Sequence, residues 1–166
     1  MKLVFDLDAD RCSACGACAV ACMDQNNADP VTRGTQLRIA GSAEDKEKQA
    51  YMSVSCFHCD DAPCIMACPS GCLYKDEETG FTLFDSANCI GCRSCALACP
   101  FGAPVFGADG KMHKCDGCIT RVRCGLKPAC VRNCPTLALR IMGESEFDKQ
   151  LKGRSLRKLS QHILDY

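Results

Sequence analysis

The sequence predicts an α+β fold of short strands and short helices, organised as two nested modules, and three observations predict it. Sixteen of the 18 cysteines in this 166-residue chain fall into four groups of four. They are Cys12, Cys15, Cys18, Cys22; Cys56, Cys59, Cys64, Cys68-Pro69; Cys89, Cys92, Cys95, Cys99-Pro100; and Cys115, Cys118, Cys130, Cys134-Pro135. Between the groups lie short alternating apolar runs bounded by turn residues, which read as strands. Groups two and three are adjacent while groups one and four flank them, so one two-group unit reads as inserted inside another.

Each element follows from its own residues. Residues 2–8, KLVFDLD, alternate Leu3, Phe5 and Leu7 with mostly polar neighbours and read as a strand leading into the first group. Residues 17–25 suit a short helix, stopped by Asn26, Asn27 and Pro30. Residues 23–55 are polar around GSAEDKEKQ and end in the alternating YMSVS, a loop with one strand or a hairpin. The stretch LYKDEETGFTLFD turns between Asp76 and Gly80 and reads as a hairpin. Residues 137–142, LALRIM, read as a strand that pairs with the N-terminal one, which would bring the first and last groups together. In the tail, Phe147, Leu151, Leu156, Leu159, Ile163 and Tyr166 recur mostly at three or four residues, with Lys149, Lys152, Arg154, Arg157 and Lys158 on other faces. This is an amphipathic basic helix over 144–166, interrupted at Gly153, for packing or for docking a partner. The expected organisation is therefore 1–30 with 105–143 as an outer module, 50–104 as an inner one, and 31–49 as a connecting loop.

Groups one and three have the C-x2-C-x2-C-x3-C spacing of bacterial ferredoxins, in which three thiolates wrap one [4Fe-4S] cube and the fourth ligates another. Four groups then imply four [4Fe-4S] clusters. A disulfide framework belongs to small secreted domains, and MKLVFDLDADRC carries no secretory leader pattern. Four-cysteine zinc sites bring two C-x2-C pairs across a spacer, whereas a third cysteine three residues on suits a cube. Nested pairing with ligand exchange assigns Cys12, Cys15, Cys18 with Cys134; Cys115, Cys118, Cys130 with Cys22; Cys56, Cys59, Cys64 with Cys99; and Cys89, Cys92, Cys95 with Cys68. The alternative is that each consecutive quartet holds its own cube. Such groups are expected to place their first three ligands on loops and the last on a helix. Gly16 and Gly91 sit at neighbouring rather than identical places, either as turn residues or to let backbone amides approach inorganic sulfur.

Three Tyr, seven Phe and no Trp leave little to build an aromatic core. Folding is therefore expected to depend on the clusters. Lys plus Arg equals Asp plus Glu at 20 each. The anionic clusters would make the holoprotein acidic, a poor nucleic-acid binder. No run approaches the roughly 20 apolar residues of a membrane span, and the expected location is cytoplasmic.

The segments CFHCDDAPCIMACPSG, CIGCRSCALACPFGAPVF and KCDGCITRVRCGLKPACVRNCP resemble the iron-sulfur subunits of the dimethyl sulfoxide reductase and formate dehydrogenase families of molybdenum and tungsten enzymes. The resemblance spans residues 8 to about 142, and group four, C-x2-C-x11-C-x3-C-P, is its most specific mark. It implies two fused ferredoxin-like modules carrying four clusters as a wire. The chain departs from the larger members in its short insert between groups one and two, and its small size is closer to small cytoplasmic polyferredoxin-like subunits of tungsten or molybdenum oxidoreductase complexes.

Outside the groups, Cys72 and Cys124 read as small buried hydrophobes, or as contacts or spare ligands to a cluster. His58 is a surface or packing residue, or a donor to cluster sulfur; Arg93 is solvated, or offsets cluster charge. His58, His113 and His162 are far apart in sequence, and no catalytic set, phosphate loop or dinucleotide fingerprint is present. The expected role is a non-catalytic electron-transfer subunit between a molybdopterin or tungstopterin subunit, of the formate dehydrogenase or aldehyde oxidoreductase type, and a second redox partner. That partner would be a flavoprotein, a hydrogenase or a ferredoxin. The alternatives are a filament-forming scaffold made by self-association and a free soluble ferredoxin.

Overall fold

Leu3, Phe5 and Leu7 alternate along β1 (Leu3–Leu7) in the computed structural model, which describes residues 1–40 and 50–153. β1 pairs antiparallel with the strand Leu139–Gly143, Leu3 opposite Gly143 and Leu7 opposite Leu139, as the sequence predicts. Within that ladder Asp6 faces Arg140. The buried Asp6 carboxylate accepts from Arg140 Nη2 at 2.6 Å, because a desolvated carboxylate needs a cationic or hydrogen-bonding partner.

A 3-10 turn at Ala9–Arg11 leads to α1 (Ala17–Asn26), rich in alanine and ended by Asn27 in the left-handed region, whose N–H donates to Met23 O. β2 (Gln36–Ala40) and β3 (Ala50–Val54) pair antiparallel. The segment 31–49, expected as a connecting loop, thus contains a strand, since the alternating run at 50–54 offers β2 a full ladder; positions 41–49 lie outside the described residues. Then come α2 (Pro63–Met66), β4 (Leu73–Lys75) and β5 (Thr82–Phe84), the last two forming the expected hairpin. Its turn is held by Asp76, whose Oδ2 accepts from Thr79 Oγ1 at 2.6 Å and from Thr79 N at 3.0 Å. Those bonds, with Arg123 Nη2 at 2.7 Å from Asp76 Oδ1, hold the carboxyl below its ordinary range.

A second 3-10 turn, Ser86–Asn88, precedes α3 (Ser94–Ala98). β6 (Val105–Phe106) and β7 (Met112–His113) make a hairpin that strands of two residues are too short to announce by alternation. Two short helices, α4 (Ile119–Arg123) and α5 (Ala129–Arg132), then lead to β8, the strand Leu139–Gly143 that pairs with β1. Residues 144–153 continue as helix α6. The rest of the expected tail helix, 154–166, lies outside the described residues.

The described strands make four separate two-stranded sheets, and two apolar clusters lie among them. Ala62, Cys64, Cys72, Leu73, Cys95 and Met112 form one, with Phe106 against it; Cys18, Cys130, Val131 and Leu139 form the other, with Phe5 and Leu7. α2 packs on α3 and α1 on α5. Phe106 and Met112 join the cluster of groups two and three, although the expected boundary at 104/105 puts them in the other module.

Candidate metal centres

The third cysteine of every group lies in a helix: Cys18 in α1, Cys64 in α2, Cys95 in α3, Cys130 in α5. The expectation that the helix carries the fourth holds only in group one, where Cys22 is inside α1. The reason is proline. A residue before Pro is pushed out of the helical region, so Cys99 caps α3 in extended conformation (ψ 113°) and Cys68 and Cys134 follow their helices. Group one alone lacks the proline.

The backbone repeats more strictly than the residues do. Two residues after the first cysteine of each group the chain is left-handed, at Ala14 (φ 57°), His58 (φ 49°), Gly91 (φ 72°) and Gly117 (φ 71°). Gly16 and Gly91 are therefore not equivalents: Gly16 (φ 73°) matches Arg93 (φ 65°) instead. A left-handed residue turns successive amides toward one concave side, the arrangement that receives anions. The amides of His58 and Gly117 donate to Cys56 Sγ at 3.4 Å and Cys115 Sγ at 3.3 Å. Cys89 and Cys99 receive Met112 N and Ala103 N, each at 3.4 Å.

Thiols from different groups lie near one another, and two sets of four line cavities. Cys22, Cys115, Cys118 and Cys130 line a cavity of about 200 Å³. Cys12, Cys15, Cys18 and Cys134 line a second cavity. Burial, then the neighbouring charges of Cys68, Cys89 and Cys92, pushes the Cys95 thiol up to about 11. Burial, then Cys56 with Cys99 beyond it, pushes up Cys64. Half-buried Cys59 lies beside Lys75, whose Nζ donates to its carbonyl. In the cavity that Cys22 shares with group four, burial and then the charges of Cys118, Cys22 and Cys18 push Cys130 up to about 12. Thiolates crowded in this way repel one another, and iron removes that cost, because metal ligands bind deprotonated. Among the described residues no three His, Cys, Asp or Glu groups converge on a single ion. Soft thiolates bonded by backbone N–H groups fit [4Fe-4S] chemistry.

The remaining candidates divide. His58 is buried and packs against Phe81 (centroids 4.5 Å) and Phe5 (5.8 Å), rings that also stack on each other at 5.7 Å. Its Nδ1 accepts from Thr82 N at 3.0 Å, while buried Nε2 has no partner. Burial, then the charges of Lys114 and Lys75, pushes the imidazole down to about 3. It is neutral, with its proton on Nε2. Cys72 is buried, 3.7 Å from Cys68 Sγ. Cys124 is exposed at the end of α4, which corrects the buried reading; α4 is one turn long and the residue that ends it faces solvent. Arg93 is exposed, its guanidinium 5.2 Å from the Phe106 ring centre. Sequence reasoning missed Lys114 and Gly34. A Cβ on Gly34 would lie 2.5 Å from Cys115 Cα, so this glycine lets the chain pass against the backbone of the first cysteine of group four. No spacing rule could have marked it.

Cysteine groups on short helices and left-handed turns, with thiols of different groups lining shared cavities, are the features of an iron-sulfur protein. The chain belongs to the 4Fe-4S dicluster family, whose model matches residues 47–144. It is 41% identical over 145 residues to the probable anaerobic dimethyl sulfoxide reductase chain YnfG of Escherichia coli, covering 81% of this chain and 70% of that one. One chain of the Escherichia coli anaerobic dimethyl sulfoxide reductase is 40% identical, with the same coverage. The thiosulfate reductase electron transfer subunit PhsB of Salmonella typhi is 38% identical over 149 residues, covering 86% of this chain and 77% of that one. The resemblance to iron-sulfur subunits of the dimethyl sulfoxide reductase type is borne out. This is an iron-sulfur subunit that transfers electrons and is not itself catalytic. Among the described residues no helix is long and apolar enough to cross a membrane.

Proposed function

We propose that this chain carries four [4Fe-4S] clusters and relays single electrons between a catalytic molybdopterin subunit and a second redox partner. The supporting observation is the mixing of thiols from different groups, Cys22 with Cys115, Cys118 and Cys130 around one cavity and Cys134 with Cys12, Cys15 and Cys18 around another. The proposed ligands are Cys12, Cys15, Cys18 and Cys134; Cys22, Cys115, Cys118 and Cys130; Cys56, Cys59, Cys64 and Cys99; and Cys68, Cys89, Cys92 and Cys95. Bound there, the clusters supply one-electron chemistry. The protein fixes the ligands, excludes water and sets the electrostatics. The packing of Met112 and Phe106 extends the proposed inner module to about residue 113.

The names of the relatives favour a partner of the sulfoxide or thiosulfate reductase type. A formate dehydrogenase or aldehyde oxidoreductase subunit, with molybdenum or tungsten, belongs to the same class, and the pterin subunit that copurifies with the chain tells which. The ligand assignment has a direct test in electron paramagnetic resonance. Cys68→Ser and Cys92→Ser are expected to alter the same signal, and Cys59→Ser a different one. If Cys68→Ser and Cys59→Ser alter one signal together, each quartet holds its own cube. Iron and acid-labile sulfide well short of four cubes would refute the four-cluster reading.

A further inference from the structure

Lys114, directly before the first cysteine of group four, is 5% exposed. Its ammonium donates to Cys115 O at 2.8 Å and to Thr82 O, and lies 5.6 Å from the centre of the Phe84 ring. Among the described residues no carboxylate pairs with it. A buried ammonium held only by carbonyls and a ring needs an anion nearby to offset its lost hydration.

Thr82 joins two groups at this point. Its N–H donates to His58 Nδ1 and its carbonyl accepts from Lys114. His58 stands between Cys56 and Cys59, and Lys114 adjoins Cys115. One residue of β5 therefore holds the imidazole of group two and the ammonium of group four. Lys114 lines the cavity of Cys22, Cys115, Cys118 and Cys130, and the His58 N–H donates to Cys56 Sγ at 3.4 Å. His58 Nε2–H, buried and without a protein acceptor, offers a second donor at the same junction.

We propose that Lys114, seconded by His58 across Thr82, is a positioning and tuning group shared by two cluster sites, Cys22/Cys115/Cys118/Cys130 and Cys56/Cys59/Cys64/Cys99. This rests on the four-cluster reading. A fixed cation stabilises the reduced, more negative form of each centre, so both accept an electron more readily than they would beside a neutral side chain. The step is a one-electron transfer between centres. No bond is made or broken.

The test is a potentiometric titration of the purified holoprotein followed by electron paramagnetic resonance, with Lys114→Met. Two centres are expected to shift to lower potential, changing their reduced-to-oxidised ratio about tenfold, about 59 mV for one electron. The other two stay in place, and Lys114→Arg restores the shifted pair. Four unmoved midpoints, or four moving equally, overturn the proposal. If Lys114→Met loses iron, Lys114→Gln, which keeps a donor for the two carbonyls, carries the same expectation. If both neutral variants lose iron while Lys114→Arg keeps it, the requirement for charge stands. If Lys114→Arg loses it too, the lysine is a packing residue and the proposal falls. A wild-type protein with fewer than four centres overturns the four-cluster reading itself.

Discussion

A side chain's absence decides as much at these sites as the thiols do. Gly117 has φ 71°, and a Cβ there would overlap the Phe81 ring, itself fully buried against His58. Gly117→Ala is expected to cost about 2–3 kcal/mol, combining left-handed strain with overpacking, and to show as a lower thermal midpoint with iron lost on dialysis. Gly34→Ala forces apart two stretches of backbone and is expected to deplete the centre that includes Cys115 while leaving the signals of the others; iron content and spectra check it. The grouped cysteines were legible because their spacing is a chemical requirement. The left-handed turns were not, since Ala14 and His58 occupy what Gly91 and Gly117 occupy, and the constraint acts on φ rather than on residue type. Lys114 was silent for another reason: nothing in a sequence distinguishes a buried lysine from a solvated one.

The elements that alternate over several residues were readable, and those that do not were not. β1, β8 and the β4–β5 hairpin show period-two runs with turn residues between them, whereas β6 and β7 offer two residues each. The helices α2, α3 and α5 are four or five residues long, too short for a 3.6-residue period to repeat. The β1–β8 ladder carries a second load in Asp6–Arg140. Arg140→Met is expected to cost about 2 kcal/mol, because it leaves a buried carboxylate without its guanidinium. Chemical denaturation of the holoprotein measures this. A loss below about 0.5 kcal/mol, the range of ordinary surface changes, would show that other partners of Asp6 suffice.

Among the described residues, cysteines proposed as ligands form part of both apolar clusters. Cys64 and Cys95 lie in one apolar cluster, Cys18 and Cys130 in the other. With so few aromatic residues beside them, removing iron with an anaerobic chelator is expected to abolish the near-ultraviolet signal and any cooperative thermal transition. A sharp transition in cluster-free protein would count against this coupling. The cavity that Cys134 shares with Cys12, Cys15 and Cys18 also sets a clock. A ribosome adding about 5–20 residues per second needs roughly ten seconds to travel from the first of these thiols to the last. In the proposed ligand assignment the earliest cysteines to be made wait through that time for their partner, while the thiols of groups two and three would all have emerged before it. Loading would then run from the middle of the chain outward, and the vulnerable interval belongs to the site whose ligands are farthest apart in sequence.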